Sequence, residues 1–287
     1  MKTLSNSLLS ISVNDHGAEL SSIKAKGKEY LWQADPTFWK RHSPVLFPIV
    51  GAVWNGEYRV EGKTYRLGQH GFARDTDFTL IAESKDSLRY RLTSKDVEGV
   101  QDFPYPFELE IEYRLRDNNI DVIWDVFNPS DKEIHFQIGA HPAFYFPDYP
   151  ENLGYLGFDR SERIDYTGVG EKGCSDSEHR HPVPIKDGFL PIDIHTFDID
   201  TFTIDRSQVH KVTLYDGDKH PTLSVSFDAP LVGIWSPPGK NAPFICIEPW
   251  YGRADRVGYK GEFKDRDEMN HLSPGTSFHA SYTITIE

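Results

Sequence analysis

Alternation of apolar and polar residues is the dominant pattern along this chain. In FELEIEYRL (107–115), five apolar residues alternate with three glutamates and one arginine. A period of two is typical of strands that bury one face and expose the other to water. The same pattern recurs in NIDVIWDVF (119–127), TLSVSFD (222–228) and SFHASYTITIE (277–287). The sequence therefore predicts an all-β, mostly antiparallel fold.

Short turn sequences separate the predicted strands. Glycine-containing turns at 25–28 (AKGK), Asn55-Gly56, 61–63 (EGK) and 216–218 (DGD) favour hairpins. No segment longer than ten residues carries an apolar stripe with the period of a helix. The best helical candidate is a single turn around 36–39 (PTFW).

One long region departs from the alternating pattern. Residues 148–196 are rich in Asp, Gly, Pro and His, and we expect the segment GVGEKGCSDSEHRHPVP (168–184) within them to be a long surface excursion. Neither a low-complexity linker nor a fixed-period repeat divides the sequence. We therefore expect one domain over residues 1–287, closed as a large two-sheet sandwich.

Composition and charge disfavour several functional classes. A content of 38% hydrophobic and 13% aromatic residues supports a sizeable core rather than disorder. The formal net charge of −13 repels phosphate backbones and anionic lipid, so we expect neither a nucleic-acid nor a membrane partner. No run approaches the roughly 20 apolar residues of a membrane span, and the N-terminal stretch is too polar for a secretory leader. We expect a cytoplasmic protein.

Three segments interrupt the strand pattern with converging polar residues, and they are where we expect the chemistry. They are QHGFARDTDF (69–78), FQIGAHPAFYFPDYP (136–150) and FICIEPWYGRADRVGY (244–259). Other catalytic constellations are missing from the sequence, since there is no nucleophile elbow, no phosphate-binding glycine loop and no Cys-x-x-Cys. The apolar strand around Cys246 would raise the pKa of its thiol and leave it inert.

Glu248 is the most informative of these polar residues. It ends the apolar run FICI and is followed by Pro249 and Trp250. Burial without a partner raises the pKa of a carboxyl group toward the range that suits a general base. A local ion pair with Arg253 or Arg256 is the structural alternative, and the sequence leaves both interpretations open.

Two histidines and one arginine have distinctive neighbours. His141 precedes a proline and three aromatic residues, and its alternatives are a catalytic role and a hydrogen-bonded packing role. His135 would share its strand face, but a metal site needs a third ligand, and the sequence suggests none. His70 is followed by Gly71, which lets the backbone approach a ligand. Arg74 could bind a carboxylate or sugar hydroxyls, or pair with the aspartates that follow it.

Four sequence motifs resemble those of one enzyme family. They are RHSPVLFPIVG (41–51), QHGFARD (69–75), GAHPAF (139–144) and CIEPWYGRAD (246–255), in this order. Together they resemble the aldose 1-epimerase (galactose mutarotase-like) family, in particular its LacX-type branch, along nearly the whole chain. The resemblance implies a large antiparallel β-sandwich of the supersandwich type, with a sugar cleft across one sheet. It also implies interconversion of the α and β anomers of an aldose, without a metal or an organic cofactor.

The resemblance assigns catalytic roles to three residues. The family's carboxylate base falls on Glu248, its general acid on His141, and its second active-site histidine on His70. The base takes the proton of the anomeric hydroxyl while the acid protonates the ring oxygen, so that the ring opens and closes again on the other face.

Substrate recognition is less closely matched to the family. A sugar-contacting arginine falls on Arg41, with Arg74 as another candidate, and Asp200 is the nearest positional match to the sugar-binding aspartate. The segment GAHPAFYF also replaces the asparagine-rich motif that galactose mutarotases carry around the acid histidine. The partner we expect is a small-molecule sugar, and the protein a monomer or homodimer. The alternatives are a hexose-6-phosphate 1-epimerase, with a basic rim at 40–42, and a non-catalytic carbohydrate-binding or sensing protein.

Overall fold

The structure is a computed structural model that describes residues 1–97, 102–160 and 162–287. Within these ranges the regular elements are 25 strands and four 3-10 helices of three residues each. None of these helices is long and apolar enough to cross a membrane.

The strands are numbered in chain order. The first are β1 (Lys2–Ser5), β2 (Leu9–Val13), β3 (Leu20–Ala25), β4 (Lys28–Glu29), β5 (Val45–Leu46), β6 (Glu57–Val60), β7 (Lys63–Arg66), β8 (Thr79–Glu83) and β9 (Ser87–Thr93). Next come β10 (Glu108–Arg116), β11 (Asn119–Phe127), β12 (Ile134–Phe136), β13 (Ile138–Ala140), β14 (Ala143–Tyr145), β15 (Tyr155–Phe158), β16 (Asp165–Val169), β17 (Ser175–Pro182) and β18 (Phe189–Pro191). The last are β19 (Phe202–Ile204), β20 (Lys211–Tyr215), β21 (Pro221–Phe227), β22 (Leu231–Trp235), β23 (Phe244–Tyr251), β24 (Asn270–Leu272) and β25 (Ser277–Ile286). The 3-10 helices are Trp54–Gly56, Ala73–Asp75, Glu171–Gly173 and Phe263–Asp265.

Two large sheets form the body of the protein. A nine-stranded sheet has the order β18-β15-β20-β21-β25-β11-β10-β9-β8, and an eight-stranded sheet has the order β17-β16-β19-β22-β23-β13-β5, with β14 also paired to β23. Smaller sheets are formed by β1 to β4, by β6 with β7, and by β12 with β24. One hydrophobic cluster draws side chains from both large sheets. The predicted antiparallel β-sandwich is confirmed.

Period-two alternation locates the core, as the sequence predicted. In β10, Leu109, Ile111 and Leu115 are buried, while the glutamates between them line the other face of the sheet. Burying each such side chain contributes about 1.5–3 kcal/mol of transfer free energy, which fixes the register of the strand. On the outer face, Glu110 forms ion pairs with Arg89 and Arg91 of the neighbouring strand β9. The four segments predicted as strands correspond to β10, β11, β21 and β25.

Most of the turn predictions are confirmed, and two local predictions are wrong. The turns at 25–28, 61–63 and 216–218 connect β3 to β4, β6 to β7 and β20 to β21. Asn55-Gly56 instead belongs to a 3-10 helix ahead of β6. Residues 36–39 form a turn rather than a helix, because the backbone N–H groups of Phe38 and Trp39 both bond to one carbonyl, that of Asp35, and no helical ladder follows.

The segment 168–184, predicted to be a surface excursion, lies at the surface but is not a loop. It contains the end of β16 and the whole of β17, which is the edge strand of the eight-stranded sheet and is exposed or half-buried over most of its length. Because an edge strand does not need an apolar face of regular period, alternation did not reveal it. The wider region 148–196 also contains β15 and β18, which extend the nine-stranded sheet.

Candidate active site

Strand register brings His141 and Glu248 together. In the antiparallel pairing with β23, Gly139 lies opposite Trp250 and Ala143 lies opposite Cys246. The same register, continued between these two pairs, places His141 opposite Glu248. Residues opposite each other in an antiparallel pair project from the same face of the sheet. The prediction that the two side chains converge is therefore confirmed, and its cause is the pairing of the segments 136–150 and 244–259.

A cavity of about 340 Å³ lies over this pair. Its volume falls in the range of small-molecule sites. Five of the residues predicted from the sequence line it, namely His70, Arg74, His141, Asp200 and Glu248. Arg41 does not line it, because its guanidinium donates to both carboxylate oxygens of Asp75, at 2.9 and 3.2 Å.

Glu248 has no cationic arginine partner. Its side chain is 1% exposed, and Oε2 lies 3.3 Å from Nε2 of His141. Oε2 makes no hydrogen bond within the described part of the chain. The predicted alternative of a local ion pair is wrong, because Arg253 lies 3.2 Å from Asp205 and Arg256 lies 2.7 Å from Asp267.

Burial sets the protonation states of this pair. It raises the pKa of Glu248 well above the usual range of a carboxyl group, and the negative charge of Asp200 acts in the same direction. Burial, together with the nearby Arg74 cation, lowers the pKa of His141 to about 3. Both shifts favour the uncharged forms, with a proton on the carboxyl group and a neutral imidazole. Transfer of this proton across the 3.3 Å contact would create a carboxylate base and an imidazolium acid together.

His70 supplies a neutral hydrogen-bond donor. The backbone N–H of Gly51 donates to Nδ1 of His70 at 3.0 Å, so the proton of the neutral ring is on Nε2. Burial lowers the pKa of His70 well below its ordinary value, and the neighbouring His141 adds to this shift. The next residue must be glycine, because Gly71 has a φ of 69° and a Cβ there would lie 2.2 Å from the carbonyl oxygen of Phe47.

Aromatic rings enclose the pair formed by Glu248 and His141, and the sequence did not assign these rings to the site. Trp39 stacks on the imidazole of His141, with ring centroids 4.7 Å apart and an interplanar angle of 27°. Trp235 meets the same imidazole edge-on at 5.4 Å. Gly233 makes room for the indole of Trp250, since a Cβ there would lie 2.4 Å from that ring. Trp39 lies two residues before the motif at 41–51, and this proximity is the sequence feature that could have assigned it to the site.

The strands β16 and β17 complete the cavity wall. Val169 and Ser175 line the cavity, so the region predicted to be a surface excursion contributes to the site. Arg253 holds these strands by donating to the hydroxyl oxygens of Thr167 and Ser175. Its charge is balanced by Asp205, which is itself buried.

One group of side chains beside the cavity has potential metal ligands. Donor atoms of His141, Cys246 and Glu248 all lie within 4.8 Å of one another. Burial raises the pKa of the Cys246 thiol well above its ordinary value, and the Glu248 charge acts in the same direction. Metals bind the thiolate and the carboxylate forms, so the protonated states of both groups oppose metal binding.

Known proteins share this fold and sequence along the whole chain. The family model described as "Aldose 1-epimerase" matches residues 1–285. The chromosomal protein LacX of Lactococcus lactis subsp. lactis is 33% identical over 99% of this chain and 98% of its own length. A galactose mutarotase related enzyme from Lactobacillus acidophilus superposes with a TM-score of 0.92 at 35% identity, over 100% of this chain and 97% of that one. A galactose mutarotase-like protein from Lactobacillus casei also gives a TM-score of 0.92, at 29% identity and with 100% of both chains covered. This chain belongs to the aldose 1-epimerase family.

Proposed function

We propose that this protein is a mutarotase that interconverts the α and β anomers of an aldose, with Glu248 as base and His141 as acid. The observation that carries the proposal is the buried contact of 3.3 Å between Glu248 Oε2 and His141 Nε2, in the wall of a cavity. A buried carboxyl and imidazole that no other group neutralises are typical of a proton-transfer site. We also infer that residues 1–287 form one domain, because one hydrophobic cluster spans both large sheets.

The proposed reaction uses the single proton of the pair. When a sugar binds, the proton of Glu248 moves to His141, and the carboxylate takes the proton of the anomeric hydroxyl. The imidazolium protonates the ring oxygen, the C1–O5 bond breaks, and rotation about C1–C2 exposes the other face of the aldehyde. Ring closure reverses the two transfers with the sugar, and the proton then returns from His141 to Glu248, so the protein ends in its starting protonation state. His70 donates a hydrogen bond through Nε2–H to a sugar oxygen and stabilises charge as it develops.

The charges around the cavity favour a free sugar over a sugar phosphate. Arg41 lies 2.9 Å from Asp75 and Arg253 lies 3.2 Å from Asp205, so both cations have an acidic partner. Asp200 adds a carboxylate to the wall of the cavity, which repels a phosphate dianion. Arg74 donates to the carbonyl oxygen of Gln69 and lies 3.8 Å from Asp75, so Arg41 and Arg74 share one carboxylate. The positive charge that this sharing leaves is the feature that supports the alternative, a hexose-6-phosphate 1-epimerase.

The Glu248→Gln variant tests the proposed base. We expect catalysed mutarotation, measured by polarimetry and corrected for the spontaneous rate, to fall by about 10²–10⁴-fold. Far-UV circular dichroism should remain that of the wild type, because glutamine has the same shape. The matched control is Glu83→Gln, which changes an exposed glutamate that pairs with Lys2, and it should keep wild-type activity. Full activity in Glu248→Gln would show that another group is the base.

The substrate class is tested by an anomer-exchange screen. Two-dimensional exchange NMR on free hexoses and on their 6-phosphates should give faster catalysed exchange for the free sugars. Faster exchange for the phosphates would instead support the alternative enzyme. Calorimetric binding of a hexose by the wild type, without exchange above the spontaneous rate, would identify a non-catalytic sugar-binding protein.

A further inference from the structure

The ribbon formed by β12 and β24 places a second pair of histidines together, outside the cavity. His135 of β12 lies directly opposite His271 of β24, and their ring centroids are 4.9 Å apart. Glu133, one residue before β12, directs its carboxylate toward both rings. Its Oε1 atom lies 3.9 Å from Nε2 of His135 and 3.7 Å from Nδ1 of His271. One carboxylate oxygen therefore faces one nitrogen of each imidazole.

The sequence linked His135 to His141, and the structure separates them. His135 pairs with β24, whereas His141 lies in the segment that pairs with β23. The sequence did not reveal His271 as a neighbour of His135, because it is 136 residues away in the chain. Strand pairing brings it opposite His135. Neither His135 nor His271 lines the cavity above Glu248.

Of the three side chains in this cluster, one is buried and two are half exposed. The side chain of His135 is 9% exposed, and its Nδ1 finds no hydrogen-bond partner within the described residues. Nε2, the other nitrogen of this ring, is the atom that faces Glu133. The side chains of Glu133 and His271 are 50% and 48% exposed. An ion from solution can therefore reach the cluster, and these two side chains are free to adjust around it.

We propose that Glu133, His135 and His271 bind one divalent transition-metal ion, with Zn²⁺ as the best match. Donor atoms of the three residues all lie within 4.8 Å of one another. Around a tetrahedral ion with bonds of about 2.0–2.2 Å, neighbouring donors lie roughly 3.3–3.5 Å apart. The two glutamate–histidine distances of 3.9 and 3.7 Å therefore need to shorten by only a few tenths of an ångström, and the exposed side chains of Glu133 and His271 can move to bring all three donors around the ion. Two imidazoles and one carboxylate are a donor set that zinc uses, and water completes the fourth position.

Solvent reaches the cluster from one side. A second cavity of about 690 Å³ is lined by Glu133 and His135, and it gives the fourth position access to solvent.

Zinc titration of the full chain tests this site. Chelator-treated protein is titrated with ZnCl₂ in a calorimeter, and we expect one equivalent to bind. His271→Ala should weaken binding by at least tenfold, since even the loss of an indirect partner of a ligand costs about that much. Zn²⁺ should also raise the midpoint of thermal unfolding of the wild type but not that of His271→Ala, because an ion that binds the folded state stabilises it. Cobalt absorption in the visible range reports tetrahedral coordination independently of activity.

Matched variants identify where the ion binds. His279→Ala removes an exposed histidine that pairs with Asp125, and it should bind Zn²⁺ as the wild type does. Equal affinity in the wild type and His271→Ala would overturn the proposal. Binding that survives in His271→Ala but disappears in Cys246→Ser would move the ion to the cluster beside Glu248, and several weak equivalents would indicate adventitious binding only. Equal affinity in the two proteins, binding that depends on Cys246, several weak equivalents and the absence of binding each contradict the proposed site.

Discussion

Two buried acidic groups lie seven residues apart in the segment 246–255, and the protein treats them in opposite ways. Asp255 accepts hydrogen bonds from the guanidinium of Arg266 and from the backbone N–H of Trp54. Arg266 in turn donates to Gln137 Oε1 and to the carbonyl oxygen of Arg253, both at 3.2 Å. Glu248 is also buried, but the nearest titratable partner that the described residues give it is the imidazole of His141, at 3.3 Å, and not an arginine.

The difference separates a structural charge from a reactive one. Removing a charge from water costs several kcal/mol, and only close partners compensate for it. Asp255 has such partners, so its network stabilises one arrangement of the chain behind the cavity. Glu248 lacks them, and burial therefore keeps its proton in place. The protein retains an unfavourable environment at Glu248, where proton transfer is proposed, and pairs its buried charges elsewhere in this segment.

Removing the arginine that pairs with the buried Asp255 should give the largest loss of stability. Arg266→Met leaves the buried Asp255 carboxylate without its cation, and we expect the free energy of unfolding to fall by about 3–5 kcal/mol in urea denaturation. The matched control is Arg256→Met, which removes an exposed partner of Asp267 and should cost less than about 1 kcal/mol. Similar losses in the two variants would show that the Asp255 network is no more important than a surface ion pair.

The sequence predicted the parts of the fold that depend on local pattern. In β10 and β11, every second side chain enters the core, so alternation alone located both strands. In β17 the pattern fails, because an edge strand is constrained by its neighbour more than by a buried face. The order of strands in each sheet depends on contacts between distant segments, which periodicity does not encode.

The candidate site was predictable in its residue types and less so in its partners. Glu248 and His141 stood out because polar residues interrupt apolar strands. Arg253 is within reach of Glu248 in the sequence, but its actual partner, Asp205, lies 48 residues away and has no local signal. His135 was assigned to the wrong neighbour for the same reason, since strand pairing with β24 determines its surroundings.

Replacing the carboxyl group of Glu248, which has no arginine partner, should raise stability rather than lower it. Glu248→Gln removes a carboxyl whose pKa is raised in the folded state, so folding of the wild type takes up a proton at pH values between the unfolded pKa and the folded pKa. The wild type is therefore penalised increasingly as the pH rises above about 4.5, by about 1.4 kcal/mol per pH unit, until the folded pKa is reached. We expect the stability of the variant relative to the wild type to increase with this slope in urea denaturation at several pH values. A difference that does not change with pH would mean that Glu248 is ionised in the folded protein.

The smallest expected effect concerns Trp39, whose ring stacks on His141, the proposed acid. Trp39→Leu removes the ring that stacks on His141, and such contacts contribute about 0.5–1.5 kcal/mol. If the ring orients the imidazole toward the ring oxygen of the sugar, kcat should fall about 2–12-fold. Trp39→Phe keeps an aromatic face and should restore most of this loss. A variant with unchanged kcat and a raised KM would show that Trp39 binds sugar but does not position His141. The position of His141 relative to Glu248 would then depend on strand register alone.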